Sequence, residues 1–247
     1  RAAIEGTQLP YDLMRQYARA EPPEVIYDAD RKRSPLAILR RVRYFGFELD
    51  REIEPLEDIP PELRGPSRAA LVEALMTGRA RHRDARPLRH TLERLGELFR
   101  RAGGDLPGAE GAAIRTELGK RLSHVASLAD FSQADLALAV DQFVPPERRR
   151  ALEALPAWLD VAGERCPIDY EVQDGVAGAR IRIRERAARH LQARDVPVLD
   201  RPVGFTVLRG KRPALRIDTL EELRRLVNAP ETDRPRPGRA KKHRRRL

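Results

Sequence analysis

The chain has 247 residues, enough for one large domain or two ordinary ones with a real core. Hydrophobic residues make up 41% and charged residues 35%, which reads as a soluble globular chain, and no apolar run nears the roughly 18 residues that span a membrane. A single cysteine, Cys166, excludes an internal disulfide and a multi-cysteine zinc site and fits a reducing cytoplasm.

His82, His90, His124, His190 and His243 are scattered without metal-binding spacing, so no metal is expected. The chain starts at Arg1 with no basic-then-apolar signal segment, as expected of a processed chain or a piece of a longer one. Its net charge of +10 is unevenly placed. From Arg180 to Arg216 there are eleven Arg or Lys against three acids, and Arg234–Leu247 holds eight basic residues and no acid. The remaining residues sum to a negative charge.

Residues 1–157 read mainly as helices. Ser34-Pro35 provides a cap and a first-turn proline, predicting a helix through Leu36, Leu39 and Val42 that ends at Gly46. The Pro-rich stretch Pro55–Pro66 reads as a connector. Pro66-Ser67 opens a helix with Leu71, Val72 and Leu75 on one side, stopped at Gly78. Leu88, Leu92, Leu95 and Phe99 predict a longer helix over 87–102. Further helices are expected over about 110–124, 132–142 and 146–155, and ordinary core packing accounts for their apolar stripes.

The pattern changes at Trp158. Cys166–Val172 and Ala177–Arg184 alternate apolar and polar residues, and Asp174-Gly175 between them is a two-residue hairpin turn. That turn pairs Ile168 with Ile181 and Tyr170 with Ala179, and sets Asp169 opposite Arg180. A short helix over about 185–194 follows. A second hairpin, Val203–Leu208 with Ala214–Ile217, faces Val207 with Leu215 and Phe205 with Ile217, which calls for a loop of three or five residues. A final helix starts at an Asp218/Thr219 cap and carries Leu220, Leu223 and Val227. The expected fold is α+β: a helical part over 1–157, a small antiparallel β-rich domain with a C-terminal helix over 158–228, and a disordered basic tail over 229–247.

No chemistry is visible. There is no GxxxxGK[ST] loop, since Gly210-Lys211 is followed by Arg212, and no DExH, DExD or GxSxG sequence. Cys166 beside Pro167 reads as half-buried and inert. His82 and His90 flank RARHRDARPLRH, which could touch phosphate but reads better as a solvated connector. Glu221-Glu222 reads as helix-start charge. No catalytic residue is assigned.

The candidate sites are cationic. Arg180, Arg182 and Arg184 project from one strand face at about 6.6–6.8 Å, close to the phosphate repeat of a single strand. Asp169 neutralises Arg180 in the proposed register, leaving Arg182 and Arg184 without acidic partners. Arg209, Lys211 and Arg212 sit at the second hairpin tip, and Arg239, Lys241, Lys242, Arg244, Arg245 and Arg246 crowd the tail. The bland alternative for the strand and tip is a solvated face, and for the tail a solubilising appendage. Aromatics are only 5% and do not interleave with this charge, so a base-stacking platform is not expected.

Three segments, RRALEALPAWLDVAGERCPIDYEV (149–172), ARIRIRERAARHL (179–191) and VLDRPVGFTVLRGKRPALRIDTLEELRRLV (198–227), carry a family likeness. From about Leu71 onward the chain resembles the C-terminal region of bacterial DEAH/DExH-type (HrpA/HrpB-like) ATP-dependent RNA helicases. The resemblance implies winged-helix and ratchet-like helical segments from about residue 71, then a small β-rich domain lining the RNA path. It further implies a bacterial cytoplasmic protein that engages single-stranded RNA, with ATP and Mg held by motor domains absent from this chain. Residues 1–70 match nothing placed. A protein-interaction module, or a freestanding RNA-binding module with no motor, stands as the alternative.

Overall fold

In a computed structural model the protein is described over residues 9–228. It is an α+β protein of helices and largely antiparallel sheets. It divides into two compact units, the first comprising the residues up to Glu93 together with Glu110–Ala139, the second Arg94–Ala109 and the chain from Val140 on.

The first unit opens with a short helix α1 (Tyr11–Gln16) and a sheet of β1 (Arg19–Ala20), β2 (Glu24–Tyr27), β3 (Leu36–Tyr44) and β4 (Phe47–Pro55). β3 is central. β4 pairs along one of its edges while β2 and then β1 share the other, all antiparallel. Pro22-Pro23 separate β1 from β2, because prolines bring no N–H to the ladder.

The helix predicted from Ser34 to Gly46 is therefore a strand. Leu36, Leu39 and Val42 imitate a helical repeat, but an isolated helix of that length is marginal in water. Partners on both edges satisfy the β3 backbone instead. Phe45 (φ 45°) and Gly46 (φ 86°) both adopt positive φ, so a two-residue turn of the type favoured in hairpins joins β3 to β4.

Helices α2 (Arg64–Met76), α3 (Ala85–Arg101), α4 (Gly111–Arg121) and α5 (Leu128–Gln133) follow, and the division between the units falls within α3. Leu71, Val72 and Leu75 of α2 and Ile114 and Leu118 of α4 are buried, as their helical spacing requires. Ser127 caps α5 by accepting the Asp130 amide hydrogen at 3.1 Å. The helix expected over 132–142 is broken, since α5 ends at Gln133 and helical backbone returns only as a 3-10 turn at Val140–Gln142. Asp84 and Asp135 instead accept the Leu136 and Ala137 amides of that non-helical stretch.

In the second unit α6 (Pro146–Glu153) precedes a five-stranded sheet: β5 (Trp158–Val161), β6 (Glu164–Gln173), β7 (Val176–Arg184), β8 (Val203–Arg209) and β9 (Arg212–Ile217), adjacent in sequence order. All pairs are antiparallel except β7–β8, which α7 (Glu185–Ala188) and its following loop connect in parallel. α7 is shorter than the helix expected to Arg194. Gln192 and Asp195 form a reciprocal cap around a separate 3-10 turn at Ala193–Asp195. α8 (Leu220–Asn228) closes the unit, its Glu222 amide bonded to the Thr219 hydroxyl.

The Asp174-Gly175 turn sets the foreseen register, with Ile168 across from Ile181, Tyr170 from Ala179 and Asp169 from Arg180. Ile181, Ile183, Phe205, Val207 and Leu223 are wholly buried in a core that also takes in Cys166, Ile168 and Tyr170. Each such side chain contributes about 1.5–3 kcal/mol by leaving water. In the β8–β9 hairpin Phe205 faces Ile217 and Val207 faces Leu215 as expected. The loop is nevertheless two residues, Gly210-Lys211, and a bulge between Val207 and Arg209 absorbs the extra residue.

Candidate nucleic-acid interface

Strand alternation sends Ile168, Tyr170, Ile181 and Ile183 into the core, so the polar partners on β6 and β7 share the opposite face. Arg180, Arg182 and Arg184 stand there, as the sequence indicated. Their environments are different from one another.

Arg180 is a structural cation. Its side chain is 13% exposed and bonds Glu171 at 3.0 Å, Asp218 at 2.9 Å and the carbonyls of Phe205 and Ile217 at 3.2 Å each. One guanidinium thus ties β6, β7, β8 and the segment after β9. Burial works against its charge, but the hydrogen bonds to Asp218 and Glu171 outweigh it and hold Arg180 above its ordinary value. Gly204 makes room for this arrangement, because a Cβ there would lie 3.0 Å from the Arg180 guanidinium.

The expected Asp169–Arg180 pair does not form, although the two Cα atoms are opposite. Each arginine leans diagonally toward the turn, so Arg180 takes Glu171 and Arg182 takes Asp169 at 2.8 Å. The expectation that Arg182 and Arg184 lack acidic partners is accordingly corrected. Arg184 has no acid at its diagonal position and pairs with Glu164 at 3.3 Å. Both remain open to solvent, at 48% and 73% exposure.

The end of β7 forms a cleft of about 440 Å³ beside the Ala162-Gly163 turn, lined by Glu164, Arg184, Arg186, Ala187 and His190. Glu164 is its one acid and is already shared with Arg184. Arg186 and His190 were not singled out as site residues from the sequence, because only the fold shows that they line one cleft with Arg184 and the Ala162-Gly163 turn. On the same outer face Arg165 lies over the Trp158 ring at 4.6 Å, and Trp158 is half-exposed. One aromatic therefore does stand within the basic face, where the sequence showed no interleaving.

At the β8–β9 tip Arg209 donates to the Pro213 carbonyl at 3.2 Å and stands opposite Arg212 across the ladder, with exposed Lys211 in the turn. The tail residues Arg239, Lys241, Lys242, Arg244, Arg245 and Arg246 lie outside the described residues.

The other sequence candidates resolve into structure. Cys166 is fully buried rather than half-buried, and burial, then Glu164, pushes its thiol up, which disfavours the reactive thiolate. The His82 ring is wholly buried: Nδ1 accepts the Asp84 amide and Nε2 donates to the Phe131 carbonyl, both at 3.0 Å. Burial lowers its pKa, against the opposing pull of Asp84 and Phe131, and so favours the neutral ring. His82 locks a turn, whereas His90 is exposed beside Glu93. Among the described residues no cluster of three His, Cys, Asp or Glu could hold a metal ion, and no helix is long and apolar enough to cross a membrane.

No family model matches the chain, and no curated protein matches it. Among solved structures it is similar to the Escherichia coli DExH-box NTPase HrpB, at 17% identity and a TM-score of 0.34, over 82% of this chain and 25% of that one. It is also similar to the Escherichia coli DEAH/RHA helicase HrpB, at 16% identity and a TM-score of 0.35, over 87% of this chain and 28% of that one. The chain spans about a quarter of the length of the helicase chains it matches.

Proposed function

We propose that this chain is the non-catalytic, nucleic-acid-engaging part of an ATP-dependent RNA helicase, with ATP hydrolysis and unwinding performed by motor domains outside it. The helicase assignment rests on the resemblance of residues 149–172, 179–191 and 198–227 to that family. The observation that carries the nucleic-acid reading is the cleft at the end of β7, where Arg184, Arg186 and His190 converge around a single, already shared carboxylate. Such a site offers a phosphate two guanidiniums and an imidazole, and a guanidinium can bind phosphate through two parallel hydrogen bonds.

The ion pairs of Arg182 and Arg184 do not prevent this. Exposed pairs are worth about 0–1 kcal/mol, so a phosphate can displace the carboxylate at little loss. Contacts of this kind fix a strand in place without reading its bases. The partner that fits is single-stranded RNA, with ATP and Mg belonging to the motor and no membrane involved.

The test is to replace Arg182, Arg184 and Arg186 together by Ala and titrate single-stranded RNA at several salt concentrations. Three lost phosphate contacts should flatten the log–log salt slope by roughly 2 and weaken binding at least about tenfold. The loss should be the same for unrelated RNA sequences. Unchanged affinity and slope would leave a solvated face and favour the protein-interaction module.

A further inference from the structure

The first unit carries a second feature of this kind, outside residues 149–227. Five aromatic side chains are exposed among the described residues, and four of them, Tyr11, Tyr17, Phe45 and Phe47, belong to the short stretch from α1 to β4. Isolated exposed rings are ordinary on a surface, but a concentration of them is not. Phe45 is 86% exposed, Phe47 73% and Tyr17 66%.

A cleft of about 590 Å³ opens at this point, lined by Tyr17, Arg19, Arg43, Tyr44 and Phe45 alone. Three rings and two guanidiniums thus form its walls, with no carboxylate. Arg19 and Arg43 are directly opposite in the β1–β3 ladder, a juxtaposition of like charges that destabilises an antiparallel pair unless something negative relieves it. Glu21 holds Arg43 at 3.3 Å, and Glu48, the acid opposite Arg43, faces Arg41 at 3.7 Å. Arg19 has no ion-pair partner among the described residues.

The ring at the tip is also held against backbone preference. Phe45 occupies φ 45°, a conformation that Asn, Asp or Gly adopts with less strain. A hairpin selected for stability alone would not put phenylalanine there.

We propose that this tip is a base-stacking clamp for single-stranded nucleic acid, in which Tyr17 and Phe45 sandwich or abut exposed bases and Arg19 meets the neighbouring phosphate. Every base has a π-face, so ring stacking accepts any sequence, and a nearby guanidinium tracks the backbone. A folded protein partner or a membrane would not call for facing arginines, one of them without an acidic partner, beside rings suited to stacking. The site goes beyond the phosphate contacts of the β7 cleft and uses none of its residues.

The experiment pairs Phe45→Asn with Tyr17→Ser in the full chain. Asn suits positive φ, so the turn is retained, and Tyr17 is exposed. Binding of a fluorescent single-stranded oligouridylate of about 15 nucleotides should weaken roughly tenfold or more, with an unchanged salt slope because no charge is altered. Arg19→Ala should instead flatten the slope. Photocrosslinking with halogenated uridine should place the adduct on Tyr17 or Phe45. Wild-type affinity in the double variant, with circular dichroism confirming the fold, would overturn the clamp while leaving the β7 cleft intact. Loss of adsorption to anionic phosphatidylserine vesicles without loss of oligonucleotide binding would likewise overturn it. A wild-type chain that binds no single strand at all would remove both readings together.

Discussion

The sequence sets Arg180 apart from Arg182 and Arg184 as the arginine neutralised by Asp169, and its surroundings do make it unlike the other two, through Glu171 and Asp218 instead. Four acceptors meet its guanidinium, so truncation would leave Asp218 and two carbonyls without this donor, while Glu171 keeps Arg216. Arg180→Ala should therefore destabilise the second unit by about 2 kcal/mol, since its own side chain is nearly buried while Asp218 stays open to solvent. Trp158 is the only tryptophan and lies in that unit, so its fluorescence during urea unfolding reports the change directly. A midpoint shift equal to that of Arg182→Ala would show that the network is dispensable.

His82 makes an opposite demand on protonation. Burial favours its neutral form, so the folded-state pKa lies below the ordinary 6.5. At pH values beneath 6.5 the unfolded chain then binds a proton that the folded chain resists. The His82 contribution is fully present above pH 6.5 and declines as pH falls below it. Protection factors of amides in α2 and α5, which remove the intrinsic pH dependence of exchange, should fall on acidification from pH 7 to 5.5, and a His82→Gln variant should lose that part of the dependence. Equal pH dependence in both proteins would contradict this role.

At the scale of elements, hairpins show where sequence reading succeeds and where it stops. Asp174-Gly175 is the expected chemistry for a turn needing two positive φ values, and the alternating apolar residues on both sides leave one acceptable register. Two other hairpins use the same backbone with Phe45-Gly46 and Ala162-Gly163, which carry no comparable signal in their first residue. The helices α2 and α3 were legible because a 3.6-residue repeat extends over several turns. β3 was not, because Leu36, Leu39 and Val42 happen to fall at helical spacing and its decisive partners lie in β2 and β4.

Side-chain pairing was less legible still. Register identifies opposite Cα atoms, whereas long side chains reach one pair along the diagonal, which is why Arg182 rather than Arg180 holds Asp169. These exposed pairs should matter little to folding. Arg182→Ala with Arg184→Ala should change stability by no more than about 0.5 kcal/mol while lowering RNA affinity evenly across sequences. A loss restricted to one RNA sequence would indicate base readout and contradict phosphate contact. For β3–β4, Gly46→Ala should lower the stability of the first unit by about 1 kcal/mol, since φ is 86° there. Circular dichroism during chemical denaturation measures it.

Across the whole molecule the positive excess resides in residues 180–216 and 234–247, and the rest of the chain is net acidic. A generally basic protein would present positive charge everywhere, whereas here the excess is concentrated in β7 through β9 and in residues 234–247. On the proposed function the eight cations of Arg234–Leu247 would contribute further phosphate contacts. If they neutralise about four phosphates, deleting them should flatten the salt slope by roughly 3. The proposed function has the chain engage single-stranded RNA through its phosphates. Its most direct test is the affinity of the intact chain for several unrelated single-stranded RNAs, measured by anisotropy from about 50 to 200 mM salt. Phosphate contact predicts steep, parallel log–log lines for all the sequences. Binding that is absent at the lowest salt, or independent of salt, would contradict it.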